Sequence, residues 1–303
     1  MKYLLIFLLA VCLPALGFAQ GVVLDKEQLL EDVSILSADS MEGRRSGTAG
    51  NRKAQAYIAR RFRQIGLKSY KPRYRHSFKL QQAPAGAAPG ANLVGYIPGK
   101  SEKVIVVSAH YDHVGKRNGS IYNGADDNAS GVGALLAAAA WFKTHKPAHT
   151  LVFVAFDAEE AGLQGAAAFL QHPPFPRQHI LLNVNMDMLS INSKGELYAS
   201  GSYHTPALKP FLQQVAARPH ARLVVGHDLP EQGHDDWTEQ SDHFQFHRRN
   251  IPFVYFGVED HAHYHKPTDD FANIHPDFYA DAAALVIDFI AAIDAQAGNL
   301  KHK

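Results

Sequence analysis

Four unbroken apolar runs constrain this chain more than any other feature. They are residues 104–109 (VIVVSA), 151–156 (LVFVAF), 180–186 (ILLNVNM) and 252–257 (PFVYFG). They are rich in β-branched and aromatic residues and show no polar alternation, the pattern of strands covered on both faces. A fifth strand candidate covers residues 92–96. Helical periodicity fills the intervals, at residues 131–142, 163–170, 205–217 and 277–294. Two helices come first. Residues 26–37 place Leu29, Leu30, Val33 and Leu36 on one face. Residues 52–64 carry a stripe of Ala54, Tyr57, Ile58 and Phe62 that runs on to Ile65, with Gly66 as a stop. Strands alternating with helices predict a three-layer α/β/α fold with a mostly parallel mixed sheet. Residues 81–91, rich in Ala, Pro and Gly, predict a loop. There is no internal repeat and no linker between independent domains.

The first residues have a different character. Lys2 precedes an apolar run from Tyr3 to Leu16, and Gly17-Phe18-Ala19 has the small-x-small form of a cleavage site. The run is short for a membrane span. The expected organisation is therefore a signal peptide over residues 1–19 and one catalytic domain over residues 20–303. Export to the periplasm or medium follows, with no stable membrane association after cleavage. Cys12 is the only cysteine and leaves with the leader, so disulfides and thiolate ligands are excluded from the mature chain. The formal net charge of +1 becomes neutral once Lys2 is removed, which argues against nucleic acid as a partner.

Ligands of open α/β sheets bind beyond the carboxyl ends of the strands, and here those ends are chemically loaded. The 104–109 run leads into His110, the 151–156 run into Glu159 and Glu160, and the 180–186 run into Asp187. The acidic pair Asp126-Asp127 stands just before the helix at Gly131. After the last run comes DHAHYHKPTDD, with His261, His263 and His265. One acid at a strand end is commonly a helix cap; capping does not account for the whole set. Several anionic ligands, one able to bridge, suit two adjacent divalent ions, and imidazole among them favours zinc, cobalt or nickel. Two such ions can share a water and polarise a carbonyl. A carboxylate outside the ligand set must then move the proton, and adjacent glutamates can divide these tasks.

With these residues in view, the motifs AHYDHVG, NGADDNASG, FDAEEAGLQGA, NVNMDM and YHKPTDD, in that order, resemble the co-catalytic two-zinc aminopeptidases of bacterial secreted leucyl-aminopeptidase type. Relatives of that family include glutamate carboxypeptidases and glutaminyl cyclases. The upstream MEGRRSGTAGNRKAQAYIARRFRQIGL is similar to the family's lead-in. The resemblance implies two Zn2+ ions, with His110 and Asp187 on one and Glu160 and His265 on the other. It implies Asp126 as the bridge, with a cis peptide to Asp127. Glu159 would be the general base and acid, Asp112 would orient His110, and Tyr264 would stabilise the oxyanion. The implied substrates are peptides with a free N-terminus.

Other residues compete for these roles. His113 is expected at the surface or behind the ligands, and His261 and His263 give way to His265 on the YHKPTD match. Asp242 and His243 are either beside the pocket or ordinary helix polarity, and Trp141 is core. The alternatives in function are a glutaminyl cyclase, a metal-dependent carboxypeptidase and a metal-free binding module. The presence of both His110 and Asp187 favours hydrolysis over cyclisation. The short 81–91 loop leaves no room for an inserted domain, and the full ligand set argues against a non-catalytic module.

Overall fold

The computed structural model describes residues 21–82 and 86–296; the leader read at residues 1–19 lies outside them. The chain opens with helices α1 (Lys26–Leu36) and α2 (Ala49–Ile65). Strands β1 (Lys68–Ser69), β2 (Arg75–Phe78), β3 (Gly90–Ile97) and β4 (Ser101–His110) follow, then the small hairpin β5 (Gly115–Arg117) and β6 (Ser120–Tyr122). Next come α3 (Gly131–Thr144), β7 (His149–Phe156), α4 (Gln164–Gln171), β8 (Ile180–Met186) and β9 (Glu196–Ser200). The chain closes with α5 (Lys209–Gln214), β10 (Arg222–Val225), α6 (His243–His247), β11 (Phe253–Gly257) and α7 (Pro276–Gln296).

Nine strands form one sheet in the order β1-β3-β7-β4-β8-β11-β9-β10, with β2 also on β3. Its centre, β7-β4-β8-β11, is parallel throughout. Antiparallel joins flank it at β3–β7 and β11–β9, and β9–β10 is again parallel. The fully apolar strands are the central ones because only they are covered on both faces. Along β4, Ile105 and Val107 point into the core under α1, α2, α3 and α7. Val104 and Val106 point to the opposite face, against Phe169 of α4 and Phe246 of α6. These are the three layers expected from the strand–helix alternation.

Local chemistry moves some boundaries. Helix α2 begins at Ala49, a turn earlier than its apolar stripe, because the Thr48 side chain accepts the Asn51 N–H. Gly66 ends it in a left-handed conformation. The helix expected over residues 205–217 is reduced to a 3-10 turn and the six residues of α5, interrupted where Pro206 and Pro210 remove backbone donors. Strand β3 starts at Gly90, inside the expected loop.

Because β4, β7, β8 and β11 run the same way, their carboxyl ends share one edge of the sheet. The turns leaving that edge are tightly built. Ala158, Met188 and His265 all have left-handed φ, at 60°, 63° and 52°, an uncommon conformation for residues with a side chain that clusters at functional sites.

Candidate metal centre

At the shared edge the strand-end side chains converge into two groups. Ligand atoms of His110, Glu159 and Asp187 lie within 4.8 Å of one another, and so do those of His113, Asp127 and Glu160. In the first, His110 Nε2 is 3.2 Å from Asp187 Oδ1. The other ring nitrogen, Nδ1, lies 3.1 Å from the Asp112 carbonyl and 3.8 Å from its carboxylate, a common way to fix the tautomer of a ligating imidazole. Asp112 also accepts the Glu159 N–H at 3.1 Å and the Ser46 hydroxyl at 3.2 Å. Asp187 accepts a 2.7 Å bond from Ser241, and its backbone carbonyl accepts the buried Tyr255 hydroxyl at 3.2 Å. In the second group, His113 Nδ1 is 2.8 Å from Glu160 Oε1. His265 Nε2 is 3.1 Å from Asp127 Oδ2 and 3.5 Å from the same Glu160 oxygen.

Asp127 joins the groups. Its Oδ1 faces His110 at 3.4 Å, and its Oδ2 faces His113 at 3.5 Å and His265 at 3.1 Å. This corrects the sequence reading by one residue. Asp126, the expected bridge, is fully buried and faces neither group. Its Oδ1 accepts Ser190 N–H at 2.6 Å, Ser190 Oγ at 2.8 Å and Ser130 Oγ at 3.2 Å, and its Oδ2 lies 2.8 Å from His261 Nε2. The cis peptide likewise falls at Asp127–Asn128, not Asp126–Asp127. Both backbone amides of the acidic pair donate to the Asp269 carboxylate, at 2.8 and 3.0 Å. Asn128 ties the turn to the end of β8 by donating to the Met186 carbonyl and accepting from Met188 N–H. Gly124 has φ 56°, and any Cβ there would come within 2.6 Å of the His113 ring.

The floor is a buried cation. Arg44 is fully enclosed and donates to the carbonyls of Tyr111, Leu36, Asn123 and Gly124 at 2.6–2.8 Å. Burial lowers its guanidinium to about 10, with the carboxylates of Asp127, Asp269, Asp112 and Glu160 opposing the shift.

The donor set passes a test for a divalent cation. Both ring nitrogens of His113 and Oε1 of Glu160 are buried without a hydrogen bond of acceptable geometry, although Nδ1 and Oε1 nearly touch. Unmet buried polar atoms are costly, and atoms converging without bonding one another are placed for a third party. The field agrees. The carboxylates of Asp127 and Glu160 beside its ring raise His265 to about 10. Burial alone would depress His110, yet Asp187 and Glu159 hold it well above its usual value. The carboxylates thus draw positive charge onto these imidazoles, and a cation answers the same demand.

Glu159 behaves differently from its neighbour. Burial, reinforced by Asp187, Asp242 and Asp112, pushes its carboxyl well above the usual range. For Glu160 burial is outweighed by His113 and His265, which hold it below that range. Tyr264 stacks on His265 with ring centroids 4.0 Å apart, and burial raises its phenol. Asp242 is fully buried with no hydrogen bond to either oxygen, and burial lifts it to about 7, opposed by His110 and assisted by Asp187. His243 turns away to the Trp237 carbonyl at 2.9 Å, and His263 reaches Thr268. Trp141 is half-buried against the core. Sequence reasoning placed His113 away from the ligands. The sole hint otherwise is its position three residues after His110, within one turn of chain.

A mixed sheet with two His–carboxylate groups sharing one carboxylate at its carboxyl edge defines a two-metal hydrolase type of centre. The chain belongs to peptidase family M28, whose model matches residues 92–290. It is 30% identical over 206 residues to a probable leucine aminopeptidase of Arthroderma otae, covering 64% of this chain and 55% of that protein. The chain spans about half the length of the curated relatives it matches first, 51% and 55%. Among solved structures it is similar to a zinc aminopeptidase from Bacillus subtilis, with a TM-score of 0.70 at 16% identity over 94% of this chain and 100% of that one. It is also similar to a Bacteroides thetaiotaomicron glutaminyl cyclase, with a TM-score of 0.68 at 17% identity over 90% and 99% of the two chains. At such identities these likenesses bear on the fold alone.

Proposed function

We propose that the protein is a zinc aminopeptidase that removes N-terminal residues from peptides. The observation that carries this reading is the Asp127 carboxylate, whose two oxygens face two separate donor groups. His110 and Asp187 would hold one ion and Glu160 and His265 the other, with the Asp127 carboxylate placed to serve both. His113 adds a further donor to the second. Bound there, two divalent ions would supply an acidified water and polarisation of the scissile carbonyl.

The chain's own residues do the rest. Glu159 takes the proton from the attacking water and delivers it to the leaving amine. Its carboxylate lies within 4.8 Å of the His110 and Asp187 donor atoms, where it can reach both the attacking water and the leaving amine. Asp112 holds the His110 ring and the Glu159 backbone in one arrangement. Tyr264 offers its hydroxyl to the carbonyl oxygen while its ring steadies His265. The substrate's free amine lies against the carboxylates of the first group.

Residues 20–303 act as one catalytic domain. The protein is exported by its leader, works without nucleic acid and has no stable hold on a membrane. The leader itself supports export, and no helix among the described residues is long and apolar enough to cross a membrane. N-terminal sequencing of protein from the cell envelope should begin near Gln20; a start at Met1 refutes cleavage.

The deciding assay compares leucyl-p-nitroanilide with its N-acetylated form, before and after chelation. Cleavage of the unblocked substrate alone, abolished by chelator and restored by zinc, is expected. Ammonia release from an N-terminal glutaminyl peptide, with the peptide bonds left intact, would move the protein to the cyclases.

A further inference from the structure

Beside the second donor group opens a cleft of about 240 Å³. His113 and Glu160 form part of its inner wall, so it begins at the reacting centre; Arg45, Arg117, Gln82 and Gln164 line it further out. It is smaller than the roughly 300–1,000 Å³ of drug-sized pockets and suits a residue-sized group. Arg45 follows the buried Arg44 and is itself exposed. Its stem lies across the β5–β6 hairpin over Gly115, where an added Cβ would come within 2.6 Å of the arginine's own Cβ. Arg117, also exposed, ends β5 on the same hairpin.

The charges around the cleft are unevenly matched. Lys116, between the two, pairs with Glu42 at 3.7 Å. Among the described residues neither Arg45 nor Arg117 has a carboxylate partner. Of the acids in the cleft wall, Asp112 accepts from Glu159 N–H and Ser46, and Glu160 faces inward to His113 and His265 in the second donor group. Two guanidinium groups thus border a residue-sized cleft leading from the metal centre, and among the described residues neither is in an ion pair. Guanidinium is the side chain best shaped to grip a carboxylate, through two parallel bonds.

We propose that this cleft receives the residue after the scissile bond and that Arg45 and Arg117 select substrates with a carboxylate there. That carboxylate is either the main-chain terminus of a dipeptide or an acidic side chain in the second position. The inference rests on the aminopeptidase reading and extends it to substrate class: short or acidic peptides.

The test uses the zinc-loaded full chain with Leu-Gly, Leu-Gly-amide, Leu-Glu-amide, Leu-Gln-amide and N-acetyl-Leu-Gly. Arg45→Gln, Arg117→Gln and the double variant are compared with the parent at equal zinc content and melting temperature. Leu-Gly should exceed Leu-Gly-amide about tenfold in kcat/KM, through KM, the scale of one charge-assisted interaction. The double variant should bring that ratio within about twofold, and 0.5 M salt should shrink it in the parent by screening. If Leu-Glu-amide instead outruns Leu-Gln-amide while Leu-Gly gains nothing, the side chain is the ligand and the proposal stands in that form. Equal cleavage of acid and amide pairs, or a preference that survives in the double variant, overturns the subsite while leaving an aminopeptidase. Cleavage of N-acetyl-Leu-Gly alone, or of no peptide, overturns the aminopeptidase reading and this inference with it.

Discussion

Neighbouring acids with opposite duties give the most discriminating prediction. Asp126→Ala removes a fully buried carboxylate that accepts three hydrogen bonds from Ser190 and Ser130 and pairs with His261. Hydrogen bonds to charged groups are worth about 1.5–3 kcal/mol each and do not add. Breaking a buried charged cluster costs about 3–5 kcal/mol in all. For a chain of this size that lowers the melting temperature by on the order of 10 °C. Metal affinity should change by less than about tenfold, since no oxygen of Asp126 faces either donor group. Asp127→Ala should do the reverse. It deletes one donor from each group, so both affinities should fall by more than the roughly 10–100-fold typical of residues that merely support ligands. The metal-free protein should melt within a few degrees of the parent. The assay pairs zinc content after dialysis against a competing chelator with calorimetry of the metal-free proteins, which separates stability from metal linkage. Two zincs retained tightly in Asp127→Ala, with loss in Asp126→Ala, would refute the geometry.

Three further outcomes are expected. Glu159→Gln should keep both zincs and lose at least about 10²–10⁴-fold in kcat, whereas Glu160→Gln should lose affinity for one zinc; an exchange of these phenotypes would reverse the two roles. His113→Ala should weaken one metal of two and change the visible spectrum of the cobalt-substituted protein, and an unchanged spectrum would return His113 to a supporting position. Burial holds His243 down at about 3 from its usual 6.5, so the folded protein favours its neutral form. Its contribution to stability is complete above pH 6.5 and lost as pH falls toward 3, at up to about 1.4 kcal/mol per pH unit. His243→Phe should flatten that slope in urea unfolding of the metal-free protein, and an identical slope would disprove it.

The central strands were legible because strands covered on both faces cannot alternate, and the same runs point to His110, Glu159, Glu160 and Asp187 at their ends. The short strands β9 and β10 escaped notice. RLVV at Arg222–Val225 is half-exposed at the sheet's edge, and ELYAS at Glu196–Ser200 is too brief to stand out. The assignment within Asp126-Asp127 depends on which way a tight turn faces its two carboxylates. Asp269, some 140 residues away, and Asn128 fix that orientation, and no local pattern reports it. His113 was missed for a related reason: an AHYDHVG segment after a strand does not say how sharply the chain curls. The structure brings residue 113 back to the edge that residue 110 leaves.

Arg44 gives the centre a boundary that differs from the family match. Every donor of the two groups lies within residues 92–290, yet the guanidinium beneath them reaches back across 67 to 80 residues to bind Tyr111, Asn123 and Gly124. Ser46 and Asn51, from the same early segment, hold the buried Asp157 at the end of β7. The donors are therefore not a portable cassette. A graft of residues 92–290 alone would carry all the ligands and none of the floor, leaving the carbonyls that Arg44 gathers free to splay. Anyone transplanting or trimming this centre must bring residues 44–51 along, and α2, which carries part of that segment, with them.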